Sequence, residues 1–195
     1  MNISDSARLT YDFMTAKDAQ LLFELDQDSE VMRYINGGEQ TSMQEIREIF
    51  IPRLESYADL SKGWGMWKVS IKPDNDTAGH LSSSEQFLGW ILVRPLDFFS
   101  ESPQWNNLEL GWRFKQSAWG KGIATEAAQA VMEAVTGIEH VHYISAIALE
   151  ENISSIKIMK KLGMRFLKKA MHYDPLGDSE LVYYQKEIKP MPQIR

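Results

Sequence analysis

Residues 119–126 read Trp119-Gly120-Lys121-Gly122-Ile123-Ala124-Thr125-Glu126. They join a strand-like run, Leu108-Glu109-Leu110-Gly111-Trp112-Arg113-Phe114, to an apolar helical run, Ala127-Ala128-Gln129-Ala130-Val131-Met132. A glycine-rich turn that opens a helix leaves several backbone N–H groups without partners, and the helix dipole adds positive potential at the same end. Such a turn suits an anionic ligand, most often a phosphate or pyrophosphate. The two familiar nucleotide motifs do not fit. A P-loop reads Gly-x-x-x-x-Gly-Lys-Ser/Thr, but Gly122 follows Gly120-Lys121, and Lys115 stands where the first glycine belongs. The dinucleotide fingerprint needs a third glycine where Thr125 stands, in a turn that begins a βαβ unit, and this turn lies past the middle of the chain.

Periodicity and turn signals order the remaining segments. Residues 8–14 read as a first strand, and Thr15-x-x-Asp18 opens a helix bearing Leu21, Leu22 and Leu25. A further helical turn or two is expected over 28–34, and Asn36-Gly37-Gly38 breaks it. Ser42-x-x-Glu45 caps a longer helix with Ile46, Ile49, Phe50, Leu54 and Tyr57 on one face; Pro52 inside it should kink it. Residues 64–72 alternate as a half-buried strand does, 73–86 form a polar loop, and 87–93 form an apolar strand ended by Pro95. A loop over 96–106 leads into the strand 107–114. The helix over 122–136 buries Ile123, Ala127, Val131, Ala134 and Val135 and wets Glu126, Gln129 and Glu133. A buried strand over 141–149 and a short helix over 152–162, ended by Gly163, come next. Residues 164–173 and 180–188 form a final strand pair. The order is β-α-α-β-β-β-α-β-α-β-β, without an internal repeat or linker, so residues 1–195 are expected to form a single domain.

Bulk composition narrows the class. The chain is 44% hydrophobic and 25% charged, as in ordinary globular proteins. No apolar run approaches a membrane span, and Met1-Asn2-Ile3-Ser4-Asp5 does not resemble a signal peptide, so a cytoplasmic location without membrane attachment is expected. Cysteine is absent, which removes disulfides, thiolate metal sites and an acyl-cysteine intermediate. His140 and His142 alternate along a strand-like run and would share a face, but a hydrogen-bonded or solvent-facing pair is the commoner arrangement; no metal site is expected. A net charge of −6 disfavours nucleic acid and is compatible with a cationic acceptor, though acidity also serves solubility.

Trp119, Gly122 and Ala124 place the turn in a further pattern. Trp-x-x-Gly-x-Ala resembles the Gln/Arg-x-x-Gly-x-Gly/Ala loop of the GNAT acetyltransferases, in the Trp-bearing form of the branch that contains ribosomal-protein N-terminal acetyltransferases. Asn152-Ile153-Ser154-Ser155 followed by Lys161-Leu162-Gly163-Met164 resembles that branch's Asn-x-x-Ser…Lys-Leu-Gly-Phe segment. Ala7-Arg8-Leu9-Thr10-Tyr11 resembles its Arg-Leu-x-Leu opening strand. The resemblance covers nearly the whole chain and implies an α/β (α+β) fold. Its mixed central sheet would have about seven strands, splayed between the fourth and fifth and flanked by about four helices, with the ligand past the strand carboxyl ends.

The resemblance implies acetyl-CoA as co-substrate and a primary amine as acceptor, either a protein N-terminus or a small molecule such as a polyamine or aminoglycoside. A monomer or homodimer would suffice. The pyrophosphate is expected on Trp119, Gly120, Lys121, Gly122, Ile123, Ala124 and Thr125. The pantetheine arm is expected along the backbone of Trp112, Arg113 and Phe114, strand-fashion, and at Asn152. Asn152 is equally suited to capping its helix, and Lys121 to solvent.

Amine acetylation needs a base for the ammonium proton and a partner for the departing thiolate. Glu109, with room beside Gly111, is the expected base, directly or through water; the alternative is an edge-strand glutamate in a surface salt bridge. Many family members place a tyrosine acid where this chain has Met159. Ser155 is the expected substitute, hydrogen-bonding the thiolate; its alternative is a first-turn cap, a place Ser154 is also able to fill. The missing tyrosine keeps a non-catalytic acyl-CoA-binding module as a rival. Trp64, Trp67, Trp90 and Trp112 are expected in the core, and Trp105, in a polar loop, at the acceptor site.

Overall fold

The computed structural model describes residues 1–73, 86–138 and 140–188. Most of the expected polar loop over 73–86, with His80, lies outside them. The strands are β1 (Leu9–Phe13), β2 (Gly65–Ile71), β3 (Phe87–Leu96), β4 (Gln104–Phe114), β5 (Tyr143–Ala148), β6 (Arg165–His172) and β7 (Ser179–Glu187). They form a seven-stranded sheet in the order β1-β2-β3-β4-β5-β7-β6. All neighbours are antiparallel except β4 and β5, which run parallel.

That parallel pair is short. It comprises Asn107↔Tyr143, Leu108↔Ile144 and Glu109↔Ser145. Beyond it β4 continues to Phe114, paired with β3 alone, and β5 to Ala148, paired with β7 alone. The facing edges part from Leu110 and Ala146 onward. This is the expected splay between the fourth and fifth strands.

The helices are α1 (Ala19–Asp26), α2 (Ser29–Asn36), α3 (Met43–Glu45), α4 (Ile51–Tyr57), α5 (Ile123–Thr136) and α6 (Ile153–Lys161). The capping boxes read at Thr15/Asp18 and Ser42/Glu45 are both formed. Pro52 acts more subtly than a kink. A π-helical stretch, Ile46–Phe50, links α3 to α4 and places Pro52 in the first turn of α4.

Alternation along β3 and β4 divides the core. On one face Ile91, Val93, Leu108 and Leu110 pack beneath α5 and α6, with Ala127, Val131 and Met159. On the other, Trp90 packs with Leu22, Ile46, Leu54 and Tyr57 of the N-terminal helices. Glu109, Gly111 and Arg113 alternate with Leu108 and Leu110 and therefore face the N-terminal helices. Among the described residues, no helix is long and apolar enough to cross a membrane.

Candidate active site

The glycine turn is built as its sequence requires. Gly120 and Gly122 have φ of 73° and 75°, the left-handed region that a side chain strains. A Cβ at Gly120 would meet nothing within 4 Å, and one at Gly122 only Arg8 Nη2 at 3.7 Å. The glycines thus serve backbone conformation and leave the space before the turn open. Gly122 is the N-cap of α5, and no side chain caps that helix.

Arg8 and Glu126 pin the turn from behind. Arg8 Nη1 donates to the Lys121 carbonyl at 3.0 Å, and its Nε to Glu126 Oε2 at 2.7 Å. Glu126 Oε1 accepts from the Arg8 amide at 2.9 Å and the Ser6 hydroxyl at 2.7 Å. Burial alone would raise the Glu126 pKa; the bonds from Ser6 and Arg8 and the arginine's charge more than offset it and hold it below the usual carboxylate value. The sequence placed Glu126 simply on the wet side of its helix. Trp119 is 46% exposed, and its Nε1 donates to the Phe114 carbonyl at 2.9 Å. Lys121 is exposed, Ile123 is buried, and Ala124 and Thr125 are half-buried in the first turn of α5.

At the parted strand edges, α6 begins. Asn152 is its N-cap, with Oδ1 accepting from the Ser155 amide at 3.1 Å. The cap is therefore neither serine, and the Ser155 hydroxyl is spent elsewhere. It accepts from Trp112 Nε1 at 3.2 Å. Because the indole can only donate, the hydroxyl's own proton remains available. Met159, one turn on, is 1% exposed and belongs to the core.

The opposite end of the site is a floor of cross-strand pairs: Arg94↔Glu109, Leu92↔Gly111 and Trp90↔Arg113. Glu109 is 4% exposed, and Arg94 grips it as a fork, Nε to Oε2 at 2.8 Å and Nη2 to Oε1 at 3.3 Å. It sits on a central strand in a buried pair, which replaces the surface salt bridge of the alternative reading. Burial pushes the Arg94 pKa down, and the charge and hydrogen bonds of Glu109 outweigh this and raise it. Tyr57 and Phe99 lie against the guanidinium, with Cζ 5.8 and 5.3 Å from the ring centroids. Burial drives the Tyr57 phenol strongly upward, so it stays protonated.

Further arginines neutralise two other carboxylates nearby. Arg113 Nη1 donates to Asp26 Oδ1, and the guanidinium lies 5.1 Å from the Trp90 ring. Arg53 Nη2 bonds both oxygens of Asp174, at 3.0 and 2.8 Å, with its Cζ 3.7 Å from the Phe99 ring. One cleft of about 470 Å³ unites the two ends: Gly111, Trp112, Ala148, Asn152 and Ser155 line it, and so do Arg53, Tyr57, Arg94, Glu109 and Asp174. The cleft can hold an extended ligand between the strand edges and bring its end between a hydroxyl proton and a fixed carboxylate.

Several expectations need correction. Trp105 does not line this cleft; it is 57% exposed at the start of β4 and stacks on Trp64 at 5.8 Å. Trp90 is in the core as expected and also lines the cleft, whereas Trp112 is half-buried at the cleft. His140 and His142 precede β5, with His140 at φ 76° in a turn, so they share no strand face. β3 runs on to Leu96, past the expected end at Val93, and so brings Arg94 onto the sheet. An arginine inside an apolar run, Leu92-Val93-Arg94-Pro95-Leu96, was the available signal.

The acetyltransferase (GNAT) domain matches residues 8–165. The chain is 31% identical over 160 residues to the uncharacterized N-acetyltransferase YnaD of Bacillus subtilis, covering 80% of this chain and 79% of that one. The chain belongs to the GNAT acetyltransferase family. Among solved structures, it is similar to RimL, a ribosomal L7/L12 alpha-N-protein acetyltransferase in complex with coenzyme A. That match has a TM-score of 0.69, 13% identity and coverage of 96% and 98% of the two chains. It is also similar to aminoglycoside acetyltransferase AAC(6')-Ib in complex with coenzyme A and kanamycin, with TM-score 0.65, 16% identity and coverage of 92% and 94%. At these identities the two structures establish the shared GNAT fold, while their acceptors differ.

Proposed function

We propose that this GNAT protein moves an acetyl group from acetyl-CoA directly to a primary amine, and that the amine is a protein N-terminus. The observation that carries this reading is the single cleft running from Ser155 at the parted strand edges to Glu109 on the floor. The co-substrate fits the residues present. The first-turn amides of α5 after Gly122, which no side chain caps, suit a pyrophosphate. The edge of β4 over 112–114, unpaired with β5, suits the amides of a pantetheine arm, with Asn152 at its side. Acetyl-CoA supplies the acetyl group as a thioester.

Glu109 accepts the ammonium proton, directly or through one water, which frees the nitrogen lone pair for attack on the thioester carbonyl. Arg94 holds the carboxylate in one position, so little reorganisation is needed at the moment of transfer. As the carbon–nitrogen bond forms and the carbon–sulfur bond breaks, Ser155 donates a hydrogen bond to the sulfur. The nitrogen sheds its second proton as the amide forms, and the thiolate takes one proton through that hydroxyl, which leaves one net proton, the one on Glu109, to return to solvent.

The N-terminal acceptor is supported by the Trp-Gly-Lys-Gly-Ile-Ala turn and the Asn152/Ser155 pair, and RimL shares the fold. AAC(6')-Ib shares it too, which makes a small-molecule amine the second reading. Incubation with acetyl-CoA and a panel of N-terminal peptides, polyamines and aminoglycosides, with free CoA thiol and acetylated product both measured, decides between them. Release of CoA together with an acetylated peptide supports the proposal. Acetylation of the small amines alone overturns the N-terminal acceptor, and CoA binding without transfer to any amine overturns the enzyme.

A further inference from the structure

We infer that the acceptor end of the cleft selects an N-terminal residue with an apolar side chain of leucine or methionine size and rejects polycations. This rests on the proposed transfer to a protein N-terminus and names the class of N-terminus.

The first argument is charge. A polycation is bound through carboxylates free to replace the hydration of each ammonium. Asp26, Glu109, Asp174 and Asp178 line the cleft. Arg113, Arg94 and Arg53 already bond the first three, and all six side chains of these pairs are at most 19% exposed. Displacing an arginine from such a pair would leave a buried charge unmatched. Asp178 is at the exposed mouth and accepts from the Asp174 amide at 3.3 Å. Three lining arginines against four lining carboxylates leave one negative charge in excess. That matches one ammonium; a second would meet guanidinium groups.

The second argument is the wall. Leu22, Ile35, Ile46, Phe50 and Met66 line the cleft from the N-terminal helices and β2. Glu109 projects toward this same face of the sheet. A side chain on the amine-bearing carbon would exchange water for this apolar wall. Serine or alanine would leave much of it uncovered.

The third argument is a pair of donors. Trp90 Nε1 and Arg113 Nε are buried and have no hydrogen-bond partner. Their residues face each other on the floor, four residues along β4 from Glu109. A backbone carbonyl of a peptide lying along this floor would supply the missing acceptor. A peptide carries such carbonyls, and a polyamine carries none.

The test uses tripeptide amides that differ only in the first residue, Leu, Ser or Lys, together with spermidine and kanamycin. Calorimetry on the CoA-saturated protein gives affinities, and initial rates with acetyl-CoA give kcat/KM. The Leu-first peptide should exceed the Ser-first peptide by about 10-fold in both, with the Lys-first peptide and the polycations lower still. Spermidine, kanamycin or the Lys-first peptide matching the Leu-first peptide overturns the inference, as does a Ser-first peptide equal to it, or no binding by any peptide. If the binding order holds and no acceptor is acetylated, the transfer reading fails while this inference stands. Arg53→Met frees Asp174 and should shift affinity toward spermidine by several-fold, whereas Arg53→Lys, which keeps the charge, should not. An unshifted preference in a folded Arg53→Met protein would remove charge compensation as the cause.

Discussion

The indole N–H of Trp112 donates to the Ser155 hydroxyl oxygen at 3.2 Å, tying β4 to the first turn of α6 where the strand edges have parted. Asn152 provides the cap of α6, so Ser155 is not needed to start the helix. Ser155→Ala should therefore lower kcat by about 5- to 10-fold, the worth of one hydrogen bond, and leave thermal stability nearly unchanged. Asn152→Ala should show the reverse emphasis, losing about 1 kcal/mol of stability with the cap. Chemical denaturation alongside steady-state kinetics checks both; a destabilised Ser155→Ala protein with normal kcat would return Ser155 to a structural role.

Met159→Tyr should not restore an acid. Met159 is fully enclosed beneath α6, and a larger polar side chain there overpacks the core at a cost of about 1–3 kcal/mol. In the Ser155→Ala background it should lower stability without raising kcat. Rescue of activity would mean that α6 turns this position toward the sulfur after all.

The Arg8–Glu126 clasp predicts a pH effect with a definite sign. The Glu126 pKa in the folded protein lies below its ordinary 4.5, so the unfolded chain binds this proton more readily. The contribution to stability is complete above pH 4.5 and is lost as pH falls through the folded value. Glu126→Gln should flatten the acid limb of a stability–pH profile and weaken acetyl-CoA binding by loosening the turn. Parallel acid limbs in the two proteins would contradict the clasp.

Gly122→Asp should reduce acetyl-CoA affinity by about 2–4 kcal/mol, through strain at positive φ, lost amide contacts and charge repulsion. Calorimetry on the folded variant measures it, and unchanged affinity would move the pyrophosphate site elsewhere.

The sequence revealed what depends on local chemistry and hid what depends on pairing across the sheet. The glycine turn, both capping boxes, the order of strands and helices along the chain and the burial of α5 follow from short spacings, and all are present. Glu109 and Ser155 were placed by motif and do line one cleft. Their partners were not legible. Arg94 meets Glu109 only because β3 and β4 pair in one register, and Asp26 reaches Arg113 over 87 residues of chain. Trp105 was misplaced because aromatic residues in a polar stretch read alike whether they face a cleft or stack on a neighbour such as Trp64.

The most direct measurement is the kcat of Glu109→Gln for acetylation of an N-terminal peptide, with acetyl-CoA affinity determined on the same preparation. Glutamine keeps the shape beside Arg94 but cannot take a proton, and it leaves the guanidinium without its charge partner. Some loss of stability is expected, so the folded fraction must be counted. The account predicts a fall in kcat of about 100-fold or more per folded molecule, with acetyl-CoA affinity unchanged. Near-normal kcat in folded Glu109→Gln protein would contradict it and leave the buried pair with Arg94 as a purely structural bond.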